Sequence, residues 1–401
     1  PSPKRLRAGR PLGRGEGEGQ RISEMCHYTS RRLDCMSDEQ VRSAFEPVEI
    51  MRLNLRNRFI RSATMEGMVS TDGIPGAELK GLYQAIAKGG VGLISTSGCL
   101  PDPSWSVGSQ PQLILHAGTN RSAWEELNRA IHSHGAFISL QMSPFMRIGD
   151  RWVGPSEYRP GVHVLTADEI DLIVSLYAKM AELARRVGFD AVQVHAGHGY
   201  GLAQFLSPYF NRRDDAYGGS AENRARILVQ IRKAIGENAG DDFPVWIKMN
   251  SFDGVPGGLI PDQAAEYLPL LEEAGYGAIE VTGGAIGGSH DSRGALDKSR
   301  WFEGYYLEGA AKVKAATHVP VSAVGGIRKL DMIERILSEG VADMISLSRP
   351  LIREPDLIHR WAKGDKAPAR CISCNGCFKM MLKGKGLFCV QDQHSNDCEK
   401  A

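Results

Sequence analysis

The sequence predicts a (β/α)₈ TIM barrel, and three observations carry the prediction. Apolar strand-like runs alternate with amphipathic helical stretches from about residue 58 onward, there are eight such runs, and a polar or glycine residue stands at or near the end of each. In chain order the runs are RFIRSAT (58–64), VGLISTS (91–97), AFISLQM (136–142), DAVQVHA (190–196), PVWIKMN (244–250), GAIEVTG (277–283), VPVSAVG (319–325) and ADMISLS (342–348). Nearly every position in them is β-branched or otherwise apolar, as strands buried on both faces require. Between them lie helical patterns such as AELKGLYQAIAKGG, NRSAWEELNRAIHSHG and ADEIDLIVSLYAKMAELARRVG. Thr166 with Glu169 forms a capping-box pattern, and Ser220 opens AENRARILVQIRKAIG. Eight such units over about 310 residues fit a closed barrel with loop insertions. A doubly wound sheet would carry a Gly-rich fingerprint after its first strand, and that turn here reads SATMEGM.

A barrel of this kind keeps its chemistry at the carboxyl ends of its strands. The residues there are Thr64, Ser97, Gln141, His195 with His198, Lys248, Gly283 with Gly284, Gly325 with Gly326, and Ser348 with Arg349. Gly325-Gly326 opens a helix after the seventh strand, so its backbone N–H groups can face an anion. Arg349 at the end of the eighth can make a forked contact to phosphate oxygens. Across the rim, Gln141 donates and accepts while Lys248 is a fixed positive charge. Such a pair suits a planar heterocycle with imide-like edges that gathers negative charge on reduction. Phosphate at one end and that ring at the other point to FMN.

Composition narrows the partners. A formal net charge of +1 gives no reason to expect nucleic acid or an anionic membrane, and no apolar run approaches the ~20 residues of a membrane span. The expected partner is a small-molecule substrate, with a homo-oligomer the one macromolecular assembly left open. No hydrophobic signal core stands ahead of the barrel, so the expected location is cytoplasmic. Residues 1–35, rich in Arg, Gly and Pro with few large apolar side chains, are expected to be a disordered leader outside the working protein.

The segment HAGHGYGLAQFLSPYFNRRDDAYGGSAENRARIL resembles the signature of the old yellow enzyme family of FMN-dependent oxidoreductases. SATMEG in the first strand, Gln141 in the third, AVGGIR after the seventh and SLSRPLI at the eighth extend the resemblance over about residues 47–391, with the barrel itself expected over 47–370. It implies a TIM barrel that binds FMN, takes hydride from NADH or NADPH and passes it to an activated alkene such as an enone. It also implies residue roles. His195 and His198 match the pair that hydrogen-bonds the substrate carbonyl, and Tyr200 matches the tyrosine that protonates the alkene carbon. Ser62, Ala63, Thr64 and Ser97 would line one flavin edge. Gln141 and Lys248 would meet the pyrimidine half, and Gly325, Gly326, Ser348 and Arg349 would hold the phosphate.

Two N–H donors aimed at one oxygen would stabilise the enolate left by hydride addition, with Tyr200 as general acid. The competing use of the histidines is zinc, which needs a third and usually a fourth ligand. A related reading keeps the flavin and turns the reaction to oxidative demethylation or dehydrogenation of an amine. The text after Gln141, QMSPFMR, departs from the family's usual His and Gly-Arg pattern, keeping Arg147 alone, which predicts an altered substrate pocket. Residues 283–306 form a long sixth loop where specificity is expected to be decided.

Five of the eight cysteines fall in the last 31 residues. Cys371, Cys374, Cys377 and Cys389 have the spacing C-x₂-C-x₂-C-x₁₁-C, and four thiolates so placed can hold a 4Fe–4S cluster or zinc. The pattern resembles the cluster loop of the family's larger members, 2,4-dienoyl-CoA reductase and trimethylamine dehydrogenase. The alternative is an inherited loop without metal, in a short C-terminal segment expected over 371–401.

Overall fold

Eight parallel strands close on themselves, each inside one of the eight runs above. They are β1 (Phe59–Arg61), β2 (Leu93–Ser95), β3 (Phe137–Met142), β4 (Ala191–Ala196), β5 (Val245–Asn250), β6 (Ile279–Thr282), β7 (Val321–Ala323) and β8 (Met344–Leu347). Each pairs in parallel with its sequence neighbour, β8 pairs with β1, and the ring is complete. This computed structural model describes residues 43–107, 110–285 and 302–392, all within one compact unit, Arg42–Ala401. The expected leader 1–35 and most of the sixth loop lie outside the described residues.

The amino end of the barrel is plugged by an antiparallel hairpin, Val48–Ile50 with Leu53–Leu55. Its two-residue turn, Met51-Arg52, has φ of 52° and 67°, the doubly left-handed geometry that matches strand twist. Ile50 and Leu55 pack onto Ile60, Leu93, Ala191, Trp246, Ala278 and Met344, which come from six of the strand runs. Trp246 is fully buried and its indole N–H donates to Ser139 Oγ at 2.8 Å, so the large ring leaves no unsatisfied donor.

Helices clothe the outside. The Thr166 hydroxyl accepts from Glu169 N while the Glu169 carboxylate accepts from Thr166 N, so the capping box forms as predicted at the head of Ala167–Arg186. Ser220 accepts from Asn223 N at the head of Ala221–Ala239, and these two helices pack side by side. One feature has no counterpart in the periodicity reading. Trp105–Ser106, Arg147–Ile148, Arg151–Gly154 and Val162–Val164 form a separate four-stranded sheet above the rim. Its strands are two to four residues long, too short for an alternation to register.

Residues 371–392 fold back onto the barrel. Arg328 donates to Cys371 O at 2.9 Å, Arg349 to Asn375 Oδ1 at 2.6 Å, and Gln110 Nε2 to Leu382 O at 3.0 Å.

Candidate active site

One cavity of about 420 Å³ opens at the carboxyl rim and gathers residues from all eight strands and the loops that follow them. Ser62, Ala63, Thr64, Gln141, His195, His198, Tyr200, Lys248, Gly325, Gly326, Ser348 and Arg349 all line it. Ser97 does not: it is buried, its N–H donates to the Tyr83 hydroxyl at 2.9 Å, and Gly98 takes the place beside the cavity. The β2 loop turns one residue later than the spacing suggested.

Beneath the cavity runs a chain of buried polar groups. Gln141 Nε2 donates to Gln193 Oε1 at 2.8 Å, and Gln193 Nε2 donates to Glu280 Oε2 at 2.8 Å. Ser62 Oγ donates to Glu280 Oε1 at 2.5 Å, and Lys248 Nζ donates to Ser62 Oγ at 2.9 Å and Glu280 Oε1 at 3.3 Å. Lys248 is therefore not the lone positive charge the sequence suggested. It is ion-paired with a carboxylate that is 0 % exposed, because an uncompensated ammonium at this depth would be too costly to desolvate. Two of its three donors are committed, which leaves one for the cavity. Glu280 and Gln193 were missed by the motif reading, although a single carboxylate inside the run GAIEVTG and a single amide inside DAVQVHA were visible signals.

The HAGHGY segment leaves β4 and turns through His198, whose φ of 63° is left-handed. Its N–H donates to Asn250 Oδ1 at 2.9 Å, and its Nε2 pairs with Thr282 Oγ1 at 2.9 Å. His195 Nδ1 accepts from Gly197 N at 3.1 Å, which puts its own proton on Nε2. The rings of His195 and His198 lie edge to face with centroids 5.2 Å apart, and Tyr200 completes a triangle at 6.1 and 6.4 Å. Burial, reinforced by the nearby Lys248 ammonium, pushes His195 down to about 3. Burial together with His195 and Lys248 drives His198 well below its usual range. Both imidazoles are neutral at physiological pH. Among the described residues no third His, Cys, Asp or Glu joins them as a metal set.

At the other end, Gly325 and Gly326 have φ of 114° and 69°, and a Cβ on either would come within 3.0 Å of a neighbouring residue. Backbone thus approaches closely, as an anion cradle requires. Arg349 Nη2 donates to the Tyr305 hydroxyl at 3.2 Å, and the Gly326 backbone lies close enough to hold that phenol's pKa down against burial. Ser348 Oγ and Thr64 Oγ1 are 2.6 Å apart. The donor set suits a phosphate, with Arg349 braced by Asn375 rather than standing free.

Cys371 is buried, Cys374 exposed, and Cys377 and Cys389 between the two. Cys371 and Cys374 precede the short helix Gly376–Leu382 and Cys389 follows it; Cys377, in the helix and lining the cavity, is pushed up to about 11 by burial with Cys371 and Cys374 contributing. Gly376 N donates to Cys374 Sγ at 3.5 Å. Cys377 and Cys389 both feel Cys371, while among the described residues no three of these thiols meet as a preformed ligand group.

Fold and site together define an α/β-barrel protein with a polar-floored cavity at its carboxyl rim. Residues 43–367 match the NADH:flavin oxidoreductase / NADH oxidase family, and the chain belongs to that family. It is 32 % identical over 347 residues to an NADH oxidase of Thermoanaerobacter brockii, covering 83 % of this chain and 53 % of that one. It is 30 % identical over 320 residues to an NADPH dehydrogenase of Geobacillus thermodenitrificans, covering 78 % and 91 %. A 2-naphthoyl-CoA reductase solved with 2-naphthoyl-CoA superposes with a TM-score of 0.79 at 26 % identity, over 87 % of this chain and 57 % of that one. The chain thus spans about half the length of its larger relatives and nearly all of a smaller one. The old yellow enzyme resemblance read from the sequence is borne out.

Proposed function

We propose that the chain is an FMN-dependent oxidoreductase that uses NADH or NADPH to reduce the activated C=C bond of a carbonyl-bearing substrate. The observation that carries this is the triangle of His195, His198 and Tyr200 on the same cavity as Gln141 and Lys248. The residues present fit FMN: Gln141, Lys248 and Ser62 for the ring, Gly325, Gly326, Ser348 and Arg349 for the phosphate. When bound, FMN supplies a two-electron carrier between the nicotinamide and the alkene. Lys248 holds a donor toward the ring while Glu280 offsets most of its charge. His195 hydrogen-bonds the substrate carbonyl through its Nε2–H, which it keeps, and stabilises the enolate oxygen as charge develops. Tyr200 delivers the proton to the adjacent carbon, so one hydride and one proton saturate the bond.

Anaerobic mixing tests the reading. Purified protein should release FMN on denaturation, lose its flavin absorbance with NADPH, and recover it on addition of 2-cyclohexenone with formation of the saturated ketone. Recovery with oxygen alone and none with enones would sink it. Oxidation of amines instead of enone reduction would favour the dehydrogenase reading. A finer reading concerns the cysteine loop, where ligand count and spacing support a 4Fe–4S cluster. A broad brown absorbance bleached by dithionite would establish it, and anaerobically purified protein that carries neither iron nor acid-labile sulfide would overturn it.

A further inference from the structure

The two histidines differ in how their protons are placed. His195 is oriented by the loop backbone: Gly197 N donates to Nδ1, which assigns the ring proton to Nε2. His198 has no such backbone partner on its ring. Among the described residues the one hydrogen-bond partner of its ring is Thr282 Oγ1, on the last residue of β6, 2.9 Å from Nε2. We infer that Thr282 is a positioning residue, donating its hydroxyl proton to His198 Nε2 and so holding the His198 proton on Nδ1. Each histidine then offers one N–H to a single substrate oxygen.

Satisfaction of the threonine decides the direction. Thr282 is 1 % exposed, and among the described residues Oγ1 makes no hydrogen bond other than the one to His198. If His198 carried its proton on Nε2, that N–H would donate to Oγ1 and the hydroxyl hydrogen would be left buried without an acceptor among the described residues. The opposite arrangement satisfies both groups. It also leaves Nδ1, which has no partner among the described residues, as a donor. A neutral imidazole has a single N–H, so this choice of nitrogen fixes what the ring can recognise.

The rest of the loop has little freedom to undo the choice. His198 is anchored through its backbone N–H to Asn250 Oδ1, and Asn250 is oriented by donating to Asp253 Oδ1 at 3.0 Å and Gly284 O at 3.1 Å. With the backbone pinned from β5 and the ring edge pinned from β6, the tautomer is the remaining variable.

This rests on the reductase reading and sharpens its substrate class. Two N–H donors with Lys248 close by favour a group that accepts hydrogen bonds and carries no protons of its own: a ketone, aldehyde, ester or thioester oxygen. They oppose an ammonium or amine, whose own N–H groups would face donors.

Holoprotein labelled with ¹⁵N-histidine tests the assignment, because long-range ¹⁵N–¹H correlation reads which ring nitrogen is protonated. The expected wild-type result is an Nδ1–H signal for His198 and an Nε2–H signal for His195, assigned with His198→Asn and His195→Asn. Thr282→Val should move His198 toward Nε2–H, and Thr282→Ser should restore Nδ1–H. In parallel, affinity of the oxidised holoprotein for trans-cinnamaldehyde, followed through the flavin absorbance without nicotinamide, should fall at least fivefold in the valine variant and recover in the serine variant. An Nε2–H signal for His198 in the wild type overturns the inference. So does a valine variant with unchanged tautomer and unchanged aldehyde affinity. Because the tautomer is read without turnover, a protein that shows it but reduces no enone refutes the reductase reading alone.

Discussion

A buried imidazole is governed by where its proton can go. His195 is 7 % exposed and held down to about 3, so the native protein refuses a proton that the unfolded chain accepts near 6.5. The stabilisation this implies is complete above pH 6.5 and is lost as pH falls through the window from 6.5 to about 3. Replacing His195 by Asn removes the linkage. Between pH 7 and pH 5 the variant should lose about 2 kcal/mol less stability than the wild type in urea titrations; equal losses would show that His195 titrates normally. Tyr200 carries a second residue-scale prediction. Tyr200→Phe should slow reoxidation by an enone about 10²-fold or more, the range for loss of a general acid, with reduction by NADPH nearly unchanged. Stopped-flow traces of the two half-reactions separate these, and equal slowing of both would contradict the proton-donor role. HAGHGY was legible as a functional loop from side-chain types alone. The partners that decide its protonation, Thr282 and Asn250, were not, because they stand 84 and 52 residues away along the chain.

Strands and their loops follow a simpler logic. Each of the eight runs could be located because burial on both faces makes a strand apolar along its length, and Glu280 and Gln193 interrupt that pattern only where the floor network needs them. Lys248 shows the limit of reading one element at a time: its position was foreseen at the end of β5, its charge partner on β6 was not. Gly325 is an element-scale test of the anion cradle. An alanine there would carry a Cβ at φ 114°, 2.7 Å from the Tyr306 ring. Gly325→Ala should cost about 1–3 kcal/mol of stability and weaken FMN binding at least tenfold, roughly 1.4 kcal/mol, by fluorescence of released flavin. Unchanged flavin affinity would remove Gly325 from the phosphate site.

Across the whole molecule, the cavity is closed by a segment that sequence reading set apart. Ser373, Asn375, Cys377, Phe378, Leu382 and Leu387 form part of its wall, and Asn375 braces Arg349. Ending the chain after Arg370 should therefore leave a folded barrel that retains FMN at least tenfold less tightly; retention equal to the full chain would show that the segment plays no part in the site. The primary structure alone carried the barrel, its strand positions and most of the rim, since periodicity and strand-end chemistry are local properties of neighbouring residues. Three-dimensional closure decided what depends on residues far apart in the chain. It neutralised Lys248 with Glu280, kept Ser97 out of the cavity wall, gave His198 its threonine, and folded the cysteine loop onto the rim. Desolvation is the physical reason: only when strands meet do buried charges and protons have to find partners, and those partners come from whichever strand lies adjacent in the ring.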